Sequence, residues 1–182
     1  MIRTGTIILA LSALAAALPA SAQDVRENGT PHMPLPLIEP CASPASYALD
    51  FLVGHWSLTP YAGGAPIAKV TIEKTQANCE LNERWPQIGA RGRGVSLTHR
   101  RADDRWHGYW IDPDGAVVSL SGGMRDGALV LTGWWYGAGI ETAARLTYSR
   151  DGEGRIRQKA EKSPDKGLGW SPISDLLYTR IP

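Results

Sequence analysis

The chain has 182 residues and a formal net charge of +1, with 19 Lys and Arg set against 18 Asp and Glu. So even a balance speaks against nucleic acid or an anionic membrane as the main partner, because both require a basic surface. Seven Trp and six Tyr against a single Phe, together with 20 Gly, favour strands and turns over helices.

Met1 to Ala22 carries one basic residue, Arg3, then an apolar run from Ile7 to Leu18, then Pro19-Ala20-Ser21-Ala22 before Gln23. The run is too short for a membrane span, and small residues mark a cleavage site. The segment therefore reads as a secretory signal peptide cut after Ala22, with a buried N-terminal helix as the alternative. No cysteine follows the cut, so a lipid anchor is not indicated, and the mature chain is expected in the periplasm or secreted. About 160 residues remain, enough for one domain with a real core. Two cysteines, Cys41 and Cys79, survive signal removal, and an even count in an exported chain is most simply one disulfide. Distant thiols with no histidine beside them do not make a metal site. From Gln23 to Pro40 the chain is rich in proline and polar residues; Pro31, Pro34, Pro36 and Pro40 prevent a continuous helix or paired strand, leaving an extended leader. Ser43-Pro44 then opens a single helical turn through Ala48, with proline at the first position.

Beyond Asp50 the segments are short and bounded by Gly, Asp or Pro. The expected strands are Phe51 to Leu58, Ile67 to Lys74, Cys79 to Trp85, Gly94 to Arg100, Arg105 to Asp112, Val117 to Gly122, Ala128 to Tyr136, Glu141 to Ser149, Arg155 to Lys162 and Ser174 to Arg180. Asp103-Asp104, Pro113-Asp-Gly115, Arg125-Asp-Gly127 and Asp151-Gly-Glu-Gly154 supply turn chemistry between them. No segment after residue 50 has a helical period long enough for a crossover helix, so the sheet is antiparallel. Consecutive hairpins around one core favour an all-β, up-and-down barrel of about ten strands, because closure removes exposed edges. A two-sheet β-sandwich is the alternative.

Strand alternation assigns faces. Trp106, Gly108 and Trp110 share one, opposite His107, Tyr109 and Ile111. Cys79, Leu81, Glu83 and Trp85 share another, and their apolar company makes it the inner one, which places Glu83 inside. A buried carboxylate needs partners; Arg145, Arg157, Tyr178, Arg180 and Gln158 are the candidates.

Asp-Phe-Leu-Val-Gly-His-Trp from Asp50, Cys-Glu-Leu-Asn-Glu-Arg-Trp from Cys79, Gly-Val-Ser-Leu from Gly94, Arg-Trp-His-Gly-Tyr-Trp-Ile-Asp from Arg105, Arg157-Gln158 and Leu-Tyr-Thr-Arg from Leu177 together resemble small exported bacterial proteins of unknown function with a lipocalin-like, DUF1579-type domain. The similarity spans Cys41 to Arg180. The Gly-x-Trp opening with a late Arg also resembles the lipocalin and fatty-acid-binding barrels. That resemblance implies that Gly54, Trp56 and Arg180 form a structural plug at the closed end. The chain departs from the family at Gly108, where a glutamine is expected, and at Ala160, where an aromatic residue is expected, and both departures enlarge the interior. Nitrobindin-like barrels share the Gly-x-Trp opening and raise a haem reading, which requires an inward histidine, whereas alternation turns His107 away from the tryptophans.

The candidate ligand-binding set is Glu83, Trp85, Trp106, Trp110, Gln158 and Tyr178, with Trp170 as a further aromatic. The same aromatic residues are also the ordinary filling of a small barrel. His55, His99 and His107 sit on separate segments without metal-ligand spacing, and no cofactor or metal is read from the chain. No Gly-x-Ser-x-Gly elbow is present, Ser121-Gly-Gly123 included, and Glu83 with Asp112 is too common a pairing to assign catalysis. Three functions stay open: binding of a small hydrophobic or amphipathic molecule inside the barrel, an enzyme acting on such a molecule through Glu83, and a structural or interaction module with a filled core. The sequence names no protein partner.

Overall fold

The computed structural model describes residue 41 and residues 43–75, 78–85, 94–100, 104–111 and 115–182; along 94–100 it describes the backbone and the Thr98 side chain. Residues 1–40, expected to form a signal peptide and leader, together with Asp112 and the 86–93 segment, lie outside the described residues.

Ten strands are formed: β1 (Gly54–Pro60), β2 (Ala68–Thr75), β3 (Glu80–Trp85), β4 (Gly94–Arg100), β5 (Trp106–Ile111), β6 (Val117–Arg125), β7 (Ala128–Gly137), β8 (Ile140–Arg150), β9 (Ile156–Ser163) and β10 (Ser171–Arg180). Each pairs antiparallel with the next in the chain, and β1 also pairs with β10, so the ring closes. A sandwich would leave four edges where this ring leaves none, and the barrel is the architecture adopted. The hairpins follow their turn residues. At Asp126-Gly127 both residues have positive φ, 49° and 78°, the mirror-image turn whose twist matches the strands. The same geometry recurs at Ala138-Gly139, where φ is 52° and 74°.

Phe51 and Leu52, expected in the first strand, instead belong to a 3-10 turn, Asp50–Leu52. Local bonds win there: the Leu52 and Val53 amides donate to the Leu49 and Asp50 carbonyls at 2.9 and 3.1 Å. A second 3-10 turn, Pro44–Tyr47, starts after Ser43 with proline at its first position. Together they carry Leu49 and Leu52 into the core. The strand begins only at Gly54, whose φ of +144° is closed to L side chains. A Cβ on Gly54 would lie 2.2 Å from Arg180 Nη1, so the bare backbone is what lets that guanidinium settle.

Trp56 and Arg180 are direct cross-strand partners. The Arg180 guanidinium carbon sits 4.3 Å from the Trp56 ring centroid, and Nη1 donates to the Val53 carbonyl at 3.1 Å. The Trp56 indole is wholly buried and donates to the Leu52 carbonyl at 2.8 Å. Val70, Ile72, Leu81, Trp106, Leu129 and Ile156 belong to the same buried core cluster as Trp56. The Cys41–Cys79 disulfide joins the chain ahead of the 3-10 turns to the approach to β3, with Cα atoms 5.1 Å apart.

Candidate functional site

Alternation, with its period of two, turns Leu81, Glu83 and Trp85 of β3 inward, and likewise Gly108 and Trp110 of β5, Leu131 and Trp135 of β7, Tyr148 of β8, Gln158 and Ala160 of β9 and Tyr178 of β10. At the plugged end these side chains are large enough to meet. Toward the other end they enclose a cavity of about 460 Å³, whose wall includes Glu83, Trp85, Gly108, Trp110, Trp135, Gln158 and Ala160. Gly108 and Ala160 both face this space. A Cβ at Gly108 would already stand 3.1 Å from Leu131 Cδ1, so a longer side chain there would take up cavity volume. Ile67 and Ile173, both exposed apolar residues, flank the cavity.

Glu83 lies at the base of the cavity and is buried. Tyr178 donates its hydroxyl to Oε1 at 2.8 Å, and Tyr148 donates to Oε2 at 3.0 Å. Gln158 Nε2 donates to the Tyr148 hydroxyl at 2.7 Å. A phenol has one proton to give. Because Tyr148 accepts from the amide and gives its proton to Oε2, every donor in the chain points toward the carboxylate. Burial pushes the Glu83 pKa up, against the Tyr178, Tyr148 and Trp85 groups that favour its charge. Burial, followed by the negative charge of Glu83, drives both tyrosines well above the usual phenol range, so they remain neutral donors. The Trp85 indole N–H is near enough to favour the carboxylate's charge, yet it is buried without an acceptor at hydrogen-bonding geometry. Trp85 also packs edge-on against Trp110, centroids 5.6 Å apart, and against Tyr178 at 6.4 Å.

Of the candidate ligand contacts, Glu83, Trp85, Trp110 and Gln158 line the cavity. Tyr178 acts one layer beneath, through its bond to Glu83. Trp106 is buried and does not line the cavity; on the shared face of β5 it stands two positions from Trp110, with Gly108 between them. Trp170 precedes β10 and does not line the cavity; it lies under the Arg145 guanidinium at 4.3 Å. None of the three arginines considered for Glu83 pairs with it. Arg145 bonds Glu161, Arg157 makes a bidentate pair with Asp175 at 2.7 and 2.6 Å, and Arg180 covers Trp56. Arg157 sits one step out of phase with inward-facing Gln158 on β9 and so faces outward, whereas Arg145 reaches the cavity wall, where Glu161 and the Trp170 ring hold it. Two site residues escaped the sequence reading. Tyr148 is the second phenol on Glu83, and Trp135 is the third tryptophan of the wall. Both were legible by parity, Tyr148 in step with Ala144 and Leu146, Trp135 in step with Leu129 and Leu131.

Among the described residues no group of three His, Cys, Asp or Glu side chains could hold a metal ion. His55 Nδ1 stands 3.1 Å from the Thr71 hydroxyl on the exposed outside. Ser121, Gly122 and Gly123 lie within strand β6, not at an elbow. No described helix is long and apolar enough to cross a membrane. Comparison with family models and with curated proteins matches none of them.

Proposed function

We propose that this chain is an exported binding protein, periplasmic or secreted after cleavage of its signal peptide, that holds a small apolar or amphipathic molecule inside the barrel. The observation that carries this reading is the cavity of about 460 Å³ beside a buried, hydrogen-bonded carboxylate. Its volume falls within the range typical of small-molecule sites, which is about 300–1,000 Å³, and its wall of aromatic and aliphatic side chains with a few convergent polar groups has the usual composition of such sites. Small residues at Gly108 and Ala160 keep the volume open where bulk would fill it. The disulfide and the signal-like start support export. The motifs around Asp50, Cys79 and Arg105 support membership of the DUF1579-type lipocalin-like proteins as part of the same proposal.

Native mass spectrometry of the protein purified from its own cell envelope tests the reading. A mass excess that disappears on denaturation and is absent from Ala160→Phe, a variant with the wild-type circular dichroism spectrum but part of its cavity filled, is the expected result. A protein that carries no adduct and whose tryptophan fluorescence ignores a panel of fatty acids, haem and aromatic compounds would sink it.

A further inference from the structure

The polar end of the cavity has a direction. Gln158 donates to Tyr148, Tyr148 to Glu83, and Tyr178 to Glu83 from the other side. A carboxylate has about four acceptor positions, so two remain after the tyrosines. What Glu83 lacks among the described residues is a countercharge: no Lys, Arg or His there pairs with it. The described cation on the cavity wall, Arg145, is already held by Glu161 at 2.7 to 2.8 Å and by the Trp170 ring. Burial disfavours the charged form of this carboxyl group, and a cation with N–H donors would favour it. The aromatic wall acts in the same sense. Trp85 stands directly beside Glu83 on β3, Trp110 and Trp135 complete the surface, and ring faces attract cations.

We infer that the ligand carries a positively charged nitrogen that donates to Glu83, with an apolar body lying along Trp85, Trp110 and Trp135 toward Ile67 and Ile173. The ligand class is an amphipathic amine. This rests on the binding reading above and narrows it to one head group. The phenol clamp contributes to the selectivity. With both tyrosine protons committed to the carboxylate, a ligand head that only accepts hydrogen bonds finds neither phenol free and is left with the Trp85 indole N–H and the second Gln158 amide N–H, while an anionic head meets the carboxyl group of Glu83.

The test compares three probes with the same body, decylamine, decanol and decanoate, each titrated below its micelle-forming concentration against intrinsic tryptophan fluorescence at neutral pH. Decylamine is expected to bind at least about tenfold more tightly than decanol, a difference of about 1.4 kcal/mol, and decanoate more weakly than either. In Glu83→Gln the amine preference should fall to within about twofold while decanol binding persists, since removing one charge removes the head-group contact but not the apolar one. Tightest binding by decanoate overturns the inference, and so does an amine preference that survives Glu83→Gln. Equal binding of all three probes refutes the amine head while leaving the binding function intact. No response to any of the three refutes both. The ranking in the wild-type protein needs no variant, so the inference remains open to refutation even if Glu83→Gln does not fold.

Discussion

Replacing Trp56 with alanine removes the keystone of the closed end, and the structure sets the size of the effect. The side chain is wholly buried, and deleting a buried tryptophan costs about 3–5 kcal/mol in transfer and cavity energy. Its N–H satisfies the Leu52 carbonyl, and a buried acceptor left alone adds roughly 1 kcal/mol. The Arg180 guanidinium loses its ring, a contact worth about 0.5–2 kcal/mol. These contributions share atoms and do not simply add, so the expected loss is about 4–6 kcal/mol. Set against a typical total of 5–15 kcal/mol, that leaves a marginal fold. Equilibrium urea unfolding followed by circular dichroism, with the disulfide intact, reads it as a lower midpoint at unchanged slope. Trp56→Phe keeps most of the buried ring and gives up the N–H bond, so it should lose only about 1–2 kcal/mol. Neither variant touches the cavity wall, and Trp56→Phe should bind decylamine as the wild type does. A Trp56→Ala protein that keeps its stability but loses a ligand would refute the assignment of the two ends of the barrel.

Two further outcomes are expected. Replacing Cys41 and Cys79 with serine opens a loop with a sequence separation of 38, for which chain entropy alone predicts a loss of about 4 kcal/mol in urea unfolding; an unchanged midpoint would mean that the closed end holds without it. Glu83→Gln should alter how stability varies with pH. The Glu83 pKa is raised on folding, so above the ordinary carboxylate value of 4.5 the native state keeps a proton that the unfolded state has released, and wild-type stability falls as pH rises through that window. Asp175 and Glu161 run the other way. The Arg157 bond holds Asp175 low; at Glu161 burial acts upward, but the Lys159 and Arg145 bonds outweigh it. Their stabilisation is present above the ordinary range and lost on acidification, equally in both proteins. The stability of Glu83→Gln relative to wild type should therefore rise from about pH 4.5 upward and then level off. A difference that stays constant with pH would show that Glu83 is not raised.

Strand number, antiparallel order and the inner face of β3 and β5 were legible in the residues because each depends on local chemistry. Alternation assigns sides, and Asp-Gly turns join neighbours. The Trp56 and Arg180 pair was legible only through the resemblance of the Gly-x-Trp opening and the late Arg to lipocalin-like barrels. The start of β1 was misread because hydrophobicity marks burial, not backbone geometry, and the Leu49 and Asp50 carbonyls take the Leu52 and Val53 amides into a 3-10 turn. Depth along the barrel was likewise hidden. Trp106 and Trp110 share a face and are chemically identical, yet one is buried in the core and the other lines the cavity, because axial position depends on register and tilt around the whole ring.

By itself the sequence determined an antiparallel all-β chain of about ten strands, barrel or sandwich, with two cysteines expected to pair and an acidic residue turned inward, all consequences of period-two patterning and of residue types that act locally. Only the tertiary structure decided the partners of that acid. Tyr148 and Tyr178 lie 65 and 95 residues away from Glu83 in the chain. No local pattern encodes which side chains meet across a barrel; closure of the ring does, and it joins two phenols and an amide in one hydrogen-bonded chain on a buried carboxyl group beside three tryptophans.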